Sequence, residues 1–202
     1  MKIFCVGRNY VEHIHELGNQ LPENMVIFMK PNTAVHLADK PWELPNFSNE
    51  IHYECEIVLK VAKNGKNIRK EDAENYFEEL GLGIDFTARD IQTKHKEKGL
   101  PWEIAKAFDH SAVVGRFIPK SSVDLSNIQF QLYQNETIVQ NGNSNCMIHS
   151  FKEMISEISQ FFTIESGDLI FSGTPAGVGK ISSRDHYRGV LDNKELFSLK
   201  IQ

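Results

Sequence analysis

Two carboxylates, Glu54 and Glu56, stand one residue apart in the segment 52–61, where Tyr53, Cys55, Ile57, Leu59 and Val61 alternate with His52, Glu54, Glu56 and Lys60. A period of two marks a β-strand, with the first set against a core and the second on the opposite face. Glu54 and Glu56 then share a face, with Cα atoms about 7 Å apart. Like charges that close repel unless something neutralises them. A hard cation completed by an oxygen ligand from elsewhere would do so. A solvated strand face with scattered charge is the other reading, and the pair alone does not choose between them.

Residues with related chemistry recur along the chain. In Tyr10-Val11-Glu12-His13-Ile14-His15-Glu16-Leu17, residues 10, 14 and 17 share one helical face, and His13 and Glu16 share another at a spacing of three. An imidazole oriented by a carboxylate is a general base; on a solvated helix the same pair is a weak ion pair. Asp85 lies near the end of the apolar run Leu82-Gly83-Ile84-Asp85-Phe86, where it serves either as a ligand or as a turn-former. Lys106 stands among apolar neighbours in Glu103-Ile104-Ala105-Lys106-Ala107-Phe108-Asp109, either held in a site or snorkelling to the surface. Gly173-Thr174-Pro175-Ala176-Gly177-Val178-Gly179 follows an apolar strand over 167–172. Its glycine spacing misses both standard nucleotide-binding signatures. It remains a tight loop that can bring the Thr174 hydroxyl and backbone N–H groups against an anion.

Several elements must position these residues. Ile3-Phe4-Cys5-Val6-Gly7 and Met25-Val26-Ile27-Phe28-Met29-Lys30-Pro31 read as strands, and Gly18 as a helix stop between them. Ala73, Tyr76, Phe77 and Leu80 recur at helical spacing, which predicts a helix over 70–80 ending at Gly81. Thr87 is placed to cap the next helix, with Asp90 in its first turn. Residues 128–133 and 137–140 form a hairpin around Asn135-Glu136. The stretch 148–162 is an amphipathic helix that buries Phe151, Met154, Ile155, Ile158, Phe161 and Phe162. A last strand covers 195–200.

The chain has 202 residues, which fits one domain over 1–202. A net charge of −5 gives no basic surface for nucleic acid. Cys5, Cys55 and Cys146 are an odd number at unrelated spacings, against a disulfide framework or a zinc site and in keeping with a reducing cytoplasm. The first apolar run is too short for a signal-peptide core, and no run approaches a membrane span.

Taken in order, Gly7-Arg8-Asn9-Tyr10 with His13 and Glu16, His52-Tyr53-Glu54-Cys55-Glu56, Asp85-Phe86-Thr87-Ala88-Arg89-Asp90-Ile91-Gln92, Lys106 and the loop 173–179 resemble the fumarylacetoacetate hydrolase family. The likeness is greatest to its branch of acylpyruvate hydrolases and oxaloacetate decarboxylases, and it runs from residue 3 to about 180. Asn135-Glu136, where Asn-Gly is common, and the tail after Lys180 depart from it. The chain starts almost at its first strand, without the N-terminal extension of larger members. The resemblance implies an α+β fold with a mixed β-sandwich or β-roll core and peripheral helices, assembled as a homodimer. It implies Mg2+ or Mn2+ held by Glu54, Glu56 and Asp85, with His13 and Glu16 as a catalytic dyad on a short lid. Lys106 and Gln92 would line the site, Lys106 neutralising charge that develops on the substrate, and Arg8 and Thr174 would hold a 2-oxo acid. The implied activity is metal-dependent C–C bond hydrolysis or decarboxylation of 2-oxo acids. An isomerase or tautomerase on the same scaffold, or a metal- or ligand-binding protein without catalysis, are the alternatives.

Overall fold

The computed structural model describes residues Met1–Gln202. Its frame is an eight-stranded mixed sheet, in spatial order Val26–Lys30, Ile3–Gly7, Leu169–Phe171, Cys55–Val61, Phe77–Asp85, Ala112–Val114 and Val35–Leu37, with Ile118–Pro119 also paired to Phe77–Asp85. Ile3–Gly7 is parallel to Leu169–Phe171 and Val35–Leu37 to Ala112–Val114; the other pairs are antiparallel. A second sheet of four antiparallel strands, Thr137–Asn143, Gln129–Gln134, His186–Leu191 and Lys194–Lys200, packs on it. Gly179–Lys180, Ile51–Tyr53 and Thr87–Ala88 form a small third sheet. Four helices lie around the sheets: α1 (Val11–Glu16), α2 (Arg89–Glu97), α3 (Glu103–Lys106) and α4 (Phe151–Phe161). The fold is α+β, as the sequence led us to expect, and no helix is long and apolar enough to cross a membrane.

Cys55–Val61 is central in the main sheet, so both of its faces are covered. Cys55, Ile57, Leu59 and Val61 enter the main core with Leu80, Leu82, Phe130, Leu132, Tyr187 and Leu199, which draws from both large sheets. The opposite face, which carries Glu56 and Val58, is not solvated: Val58 joins a second apolar cluster with Cys5, Ala112 and Phe171. The turn joining Gln129–Gln134 to Thr137–Asn143 has φ of 49° at Asn135 and 70° at Glu136, the left-handed pair that a tight hairpin requires. Ser150 caps α4 through a capping box with Glu153.

Three expectations need correction. Residues 70–80 are not a helix: only one 3-10 turn forms at Ala73–Tyr76, and Phe77–Asp85 is a nine-residue strand. Pairing on both edges satisfies its backbone, and Gly81 and Gly83 are poor helix formers. Thr87 does not cap α2 but lies buried in Thr87–Ala88. Asp90 binds the Ser48 hydroxyl at 2.6 Å and the N–H groups of Asn49 and Ile91 instead. Phe161, expected inside, is 63% exposed on the last turn of α4.

Gly83 lies opposite Glu56 in the register, and a Cβ there would stand 2.4 Å from the Val113 carbonyl oxygen and 2.9 Å from Phe171 and Val58. Backbone cannot yield cheaply, so Gly83→Ala is expected to cost about 1–3 kcal/mol, the usual range for overpacking. Urea denaturation measures it. Gly7→Ala, whose Cβ would meet Val26 at an ordinary 3.5 Å, should fall well below that range.

Candidate active site and metal centre

The strand register brings the three acids together. Cys55 pairs with Ile84, and the Asp85 N–H donates to the Glu54 carbonyl at 2.8 Å, so Glu54 and Asp85 face one another across adjoining strands. Glu54 occupies the break where the chain leaves Ile51–Tyr53 for Cys55–Val61. Ligand oxygens of Glu54, Glu56 and Asp85 lie within 4.8 Å of one another, and all three residues are buried.

Buried carboxylates need partners. Lys106, delivered by α3, donates to Glu54 Oε2 and Asp85 Oδ2, both at 2.7 Å. Lys30, at the end of Val26–Lys30, lies 2.7 Å from Asp85 Oδ1 and also donates to Ser111 and the Lys106 carbonyl. Arg89, the first residue of α2, donates to Glu54 Oε1 and, at 2.6 Å, to Gln92 Oε1. Burial alone would raise the Glu54 carboxyl, but Lys106 and Arg89 outweigh it and hold the group well below the usual carboxylate range. For Lys106, burial pulls the ammonium down and Asp85 and Glu54 more than restore it, leaving it raised.

Glu56 differs. Burial, then the negative charges of Asp85 and Glu54, push its carboxyl well above the usual range. Its one hydrogen bond is from the Gly173 N–H at 2.7 Å. Asp85 Oδ1 has no aligned hydrogen-bond donor despite the nearby Lys30 ammonium. Three converging hard oxygens and one acid lacking its own cation fit a divalent ion of the Mg2+ or Mn2+ type.

Above the acids sits α1. His13 is buried, with Nδ1 3.1 Å from Glu16 Oε2, while Glu16 Oε1 accepts the Gly177 N–H at 2.9 Å. With Nδ1 engaged by the carboxylate, Nε2 is the nitrogen left for proton transfer. The N–H groups of Gly173 and Gly177, expected to meet an external anion, meet Glu56 and Glu16 of the protein itself. The Thr174 hydroxyl donates to the Cys55 carbonyl at 2.9 Å and accepts from Gln140 Nε2 at 2.8 Å. It thereby holds the loop to the strand carrying the acids.

Arg8, His13, Glu54, Glu56, Asp85, Gln92, Lys106 and Thr174 all line one cavity of about 40 Å3, and Glu16 lies behind His13. Sequence reasoning missed Lys30, Arg89, Asn9 and Gln140. Asn9 is fully buried and binds Ser172 and His149, rooting the lid to the loop strand. Gln140 accepts the Cys55 N–H at 2.8 Å. A lysine closing an apolar strand was the available signal for Lys30; Gln140 offered none. The arrangement can hold a cation, place a base above it and neutralise negative charge that forms between them.

Lys30→Met leaves Asp85 without one of its two buried cations and should cost about 3–5 kcal/mol in denaturant titration. Lys70→Met, which removes an exposed pair with Glu153, should cost about 1 kcal/mol or less.

The profile of the family described as "Fumarylacetoacetate (FAA) hydrolase C-terminal" matches residues 2–202. The chain is 37% identical over 197 residues to oxaloacetate tautomerase FAHD1, mitochondrial, of Bos taurus, covering 95% of this chain and 89% of that one. It is 40% identical over 182 residues to the mitochondrial oxaloacetate decarboxylase of Dictyostelium discoideum, covering 89% and 84%. Among solved structures, fumarylpyruvate hydrolase from Pseudomonas aeruginosa in complex with Mn2+ and pyruvate superposes with a TM-score of 0.93 at 36% identity, over 100% of this chain and 89% of that one. With a family match across nearly its whole length and relatives of this identity and coverage, the chain belongs to the fumarylacetoacetate hydrolase family.

Proposed function

We propose that the protein is a divalent-metal-dependent enzyme that breaks a C–C bond of a 2-oxo acid, by acylpyruvate hydrolysis or by oxaloacetate decarboxylation. The observation that carries this reading is the buried triad Glu54, Glu56 and Asp85, two of whose members share the Lys106 ammonium. The names of the relatives support it: a decarboxylase, and a hydrolase that binds Mn2+ and pyruvate. When held by the triad, Mg2+ or Mn2+ supplies Lewis-acid polarisation of the 2-oxo group.

The protein's own groups do the rest. Lys106 faces the same space and neutralises the negative charge that grows on the 2-oxo oxygen as the bond breaks. For hydrolysis, His13 Nε2 takes the proton of the attacking water, and Glu16 holds the ring in place through Nδ1. For decarboxylation no water is needed, because departure of CO2 breaks the bond. Closure of α1 over the acids keeps bulk water out.

A second reading is tautomerisation, and the bovine relative's name favours it. There His13 would carry a proton between C3 and the 2-oxo oxygen without C–C cleavage. Product analysis with oxaloacetate and an acylpyruvate separates the readings: pyruvate formation supports cleavage, and loss of the enol signal without pyruvate supports tautomerisation.

Activity on any of these substrates should vanish in exhaustive chelator and return with Mn2+, and Glu56→Gln should abolish Mn2+ binding in calorimetry with the fold retained. Full activity in chelator overturns the proposal. His13→Ala should slow hydrolysis or tautomerisation by about 100- to 10,000-fold, the range of general acid–base assistance. Decarboxylation should suffer less. Equal losses would mean that the dyad secures the lid or moves a proton common to all.

A further inference from the structure

The charges lining the cavity do not balance evenly. Lys106, Lys30 and Arg89 are already committed to Glu54 and Asp85. Two further cations line the same cavity without an acid: Arg8, at the root of α1, and Lys96, near the end of α2. They converge on one neutral atom. Asn19 Oδ1 accepts from Lys96 Nζ at 2.9 Å and from Arg8 Nη2 at 3.5 Å. Asn19 follows the lid helix, and its N–H donates to the Ile14 carbonyl, so a closed lid presents the amide to both cations. Arg8 is held at φ 57°, an uncommon conformation for a non-glycine residue. Burial, then the Arg8 and Arg89 charges, lower the Lys96 ammonium from its ordinary value, as expected for a cation short of counter-charge.

A ligand reaching beyond the acid triad has two ways to extend. One leads into an apolar cleft of about 420 Å3 between Phe28, Met29, Leu100, Pro101 and Trp102, which shares Phe28, Trp102 and Lys106 with the cavity. The other leads to Arg8 and Lys96. Two uncommitted, partly desolvated cations aimed at a single uncharged oxygen are complementary to a carboxylate, whose paired oxygens can take a bond from each.

We propose that Lys96, acting with Arg8, binds a second carboxylate and so selects 2-oxo dicarboxylates over 2-oxo monoacids of the same length. The proposal rests on the reading that the triad receives the 2-oxo acid end. Lys96 is then a specificity-determining residue, set apart from the Glu54, Glu56 and Asp85 triad along the same cavity. The Asn19 amide oxygen occupies the carboxylate's place when the distal end is absent.

Matched pairs of probes test it without reference to the reaction. Dissociation constants of the Mn2+-loaded protein are measured by calorimetry for 2-oxoglutarate against 2-oxopentanoate, and for 2-oxoadipate against 2-oxohexanoate. The wild type should favour the diacid in at least one pair. In Lys96→Met that ratio should fall about 10- to 100-fold, the range of one charge-assisted hydrogen bond. Lys96→Arg should restore most of it. A ratio unchanged in Lys96→Met, or a wild type that favours the monoacid, overturns the proposal. Pyruvate binding to the same Mn2+-loaded protein tells the two failures apart. If pyruvate binds and the diacid preference is missing, only the role of Lys96 falls. If no 2-oxo acid binds, the reading of the triad falls with it.

Discussion

The Lys106 ammonium, held between Glu54 and Asp85 at 2.7 Å from each, is the contact on which the rest of the site depends. It is the one cation that Glu54 and Asp85 share, with Arg89 and Lys30 completing the neutralisation of two carboxylates buried in the sheet. Lys106 comes from a helix of only four residues, so its position needs outside support. Lys30 and Ser111 provide it by binding the Lys106 carbonyl. The same two residues bind each other. A chain of charge and hydrogen bond thus crosses the main sheet from its Val26–Lys30 edge to the acids at its centre.

The three acids share a site but not an electrostatic state. Glu54 is lowered by its cations, so its pairing stabilises the fold above the ordinary carboxylate range and that contribution is lost as pH falls toward its folded pKa. Glu56 is raised, so with the protein's own groups alone its contribution has the opposite sign, favouring the fold at low pH and fading as pH rises. These opposed shifts accompany three carboxylate oxygens converging within 4.8 Å, an arrangement that suits a charge beyond those of the side chains.

Much of this was legible in the sequence, and what was not shares one cause. Alternation at 52–61 showed an extended segment with two acids on one face, and a spacing of three set His13 beside Glu16, because both are local periodicities, but neither pattern by itself separated a site from a solvated face. At Asp85, the end of an apolar run, ligand and turn-former read alike, and only the ordered set of motifs singled it out. The hairpin around Asn135-Glu136 and the strand over 194–200 were readable from local periodicity. Lys30 and Gln140 were not, since Lys30 acts on residues 76 and 81 positions away and Gln140 on one 85 positions away. Residues 77–80 were misread because helical spacing competed with two-sided strand pairing, which only the assembled sheet supplies. Phe161 has the right periodicity and still points outward, since the stripe on α4 is broader than the surface it meets.

The loop after Leu169–Phe171 shows how local chemistry can be legible and its use hidden. Glycines at 173 and 177, with φ of 93° and 99°, predicted a cradle of N–H groups, and the cradle exists. Its first N–H binds Glu56, among the acids, and its second binds Glu16, behind the base. Thr174 between them is tied to the Cys55 carbonyl, and Gln140 clamps Thr174, Pro175 and the Cys55 N–H together. The loop is therefore a strut that fixes the height of His13 above the carboxylates. A Cβ at Gly177 would lie 2.1 Å from the Val139 carbonyl oxygen and one at Gly173 2.9 Å from that of Val6, so neither end of the strut can accept a side chain without moving backbone. The glycines are needed here because both have positive φ and lie hard against backbone of Val6 and Val139. Those neighbours come from distant strands, and no property of the loop's own sequence expresses them.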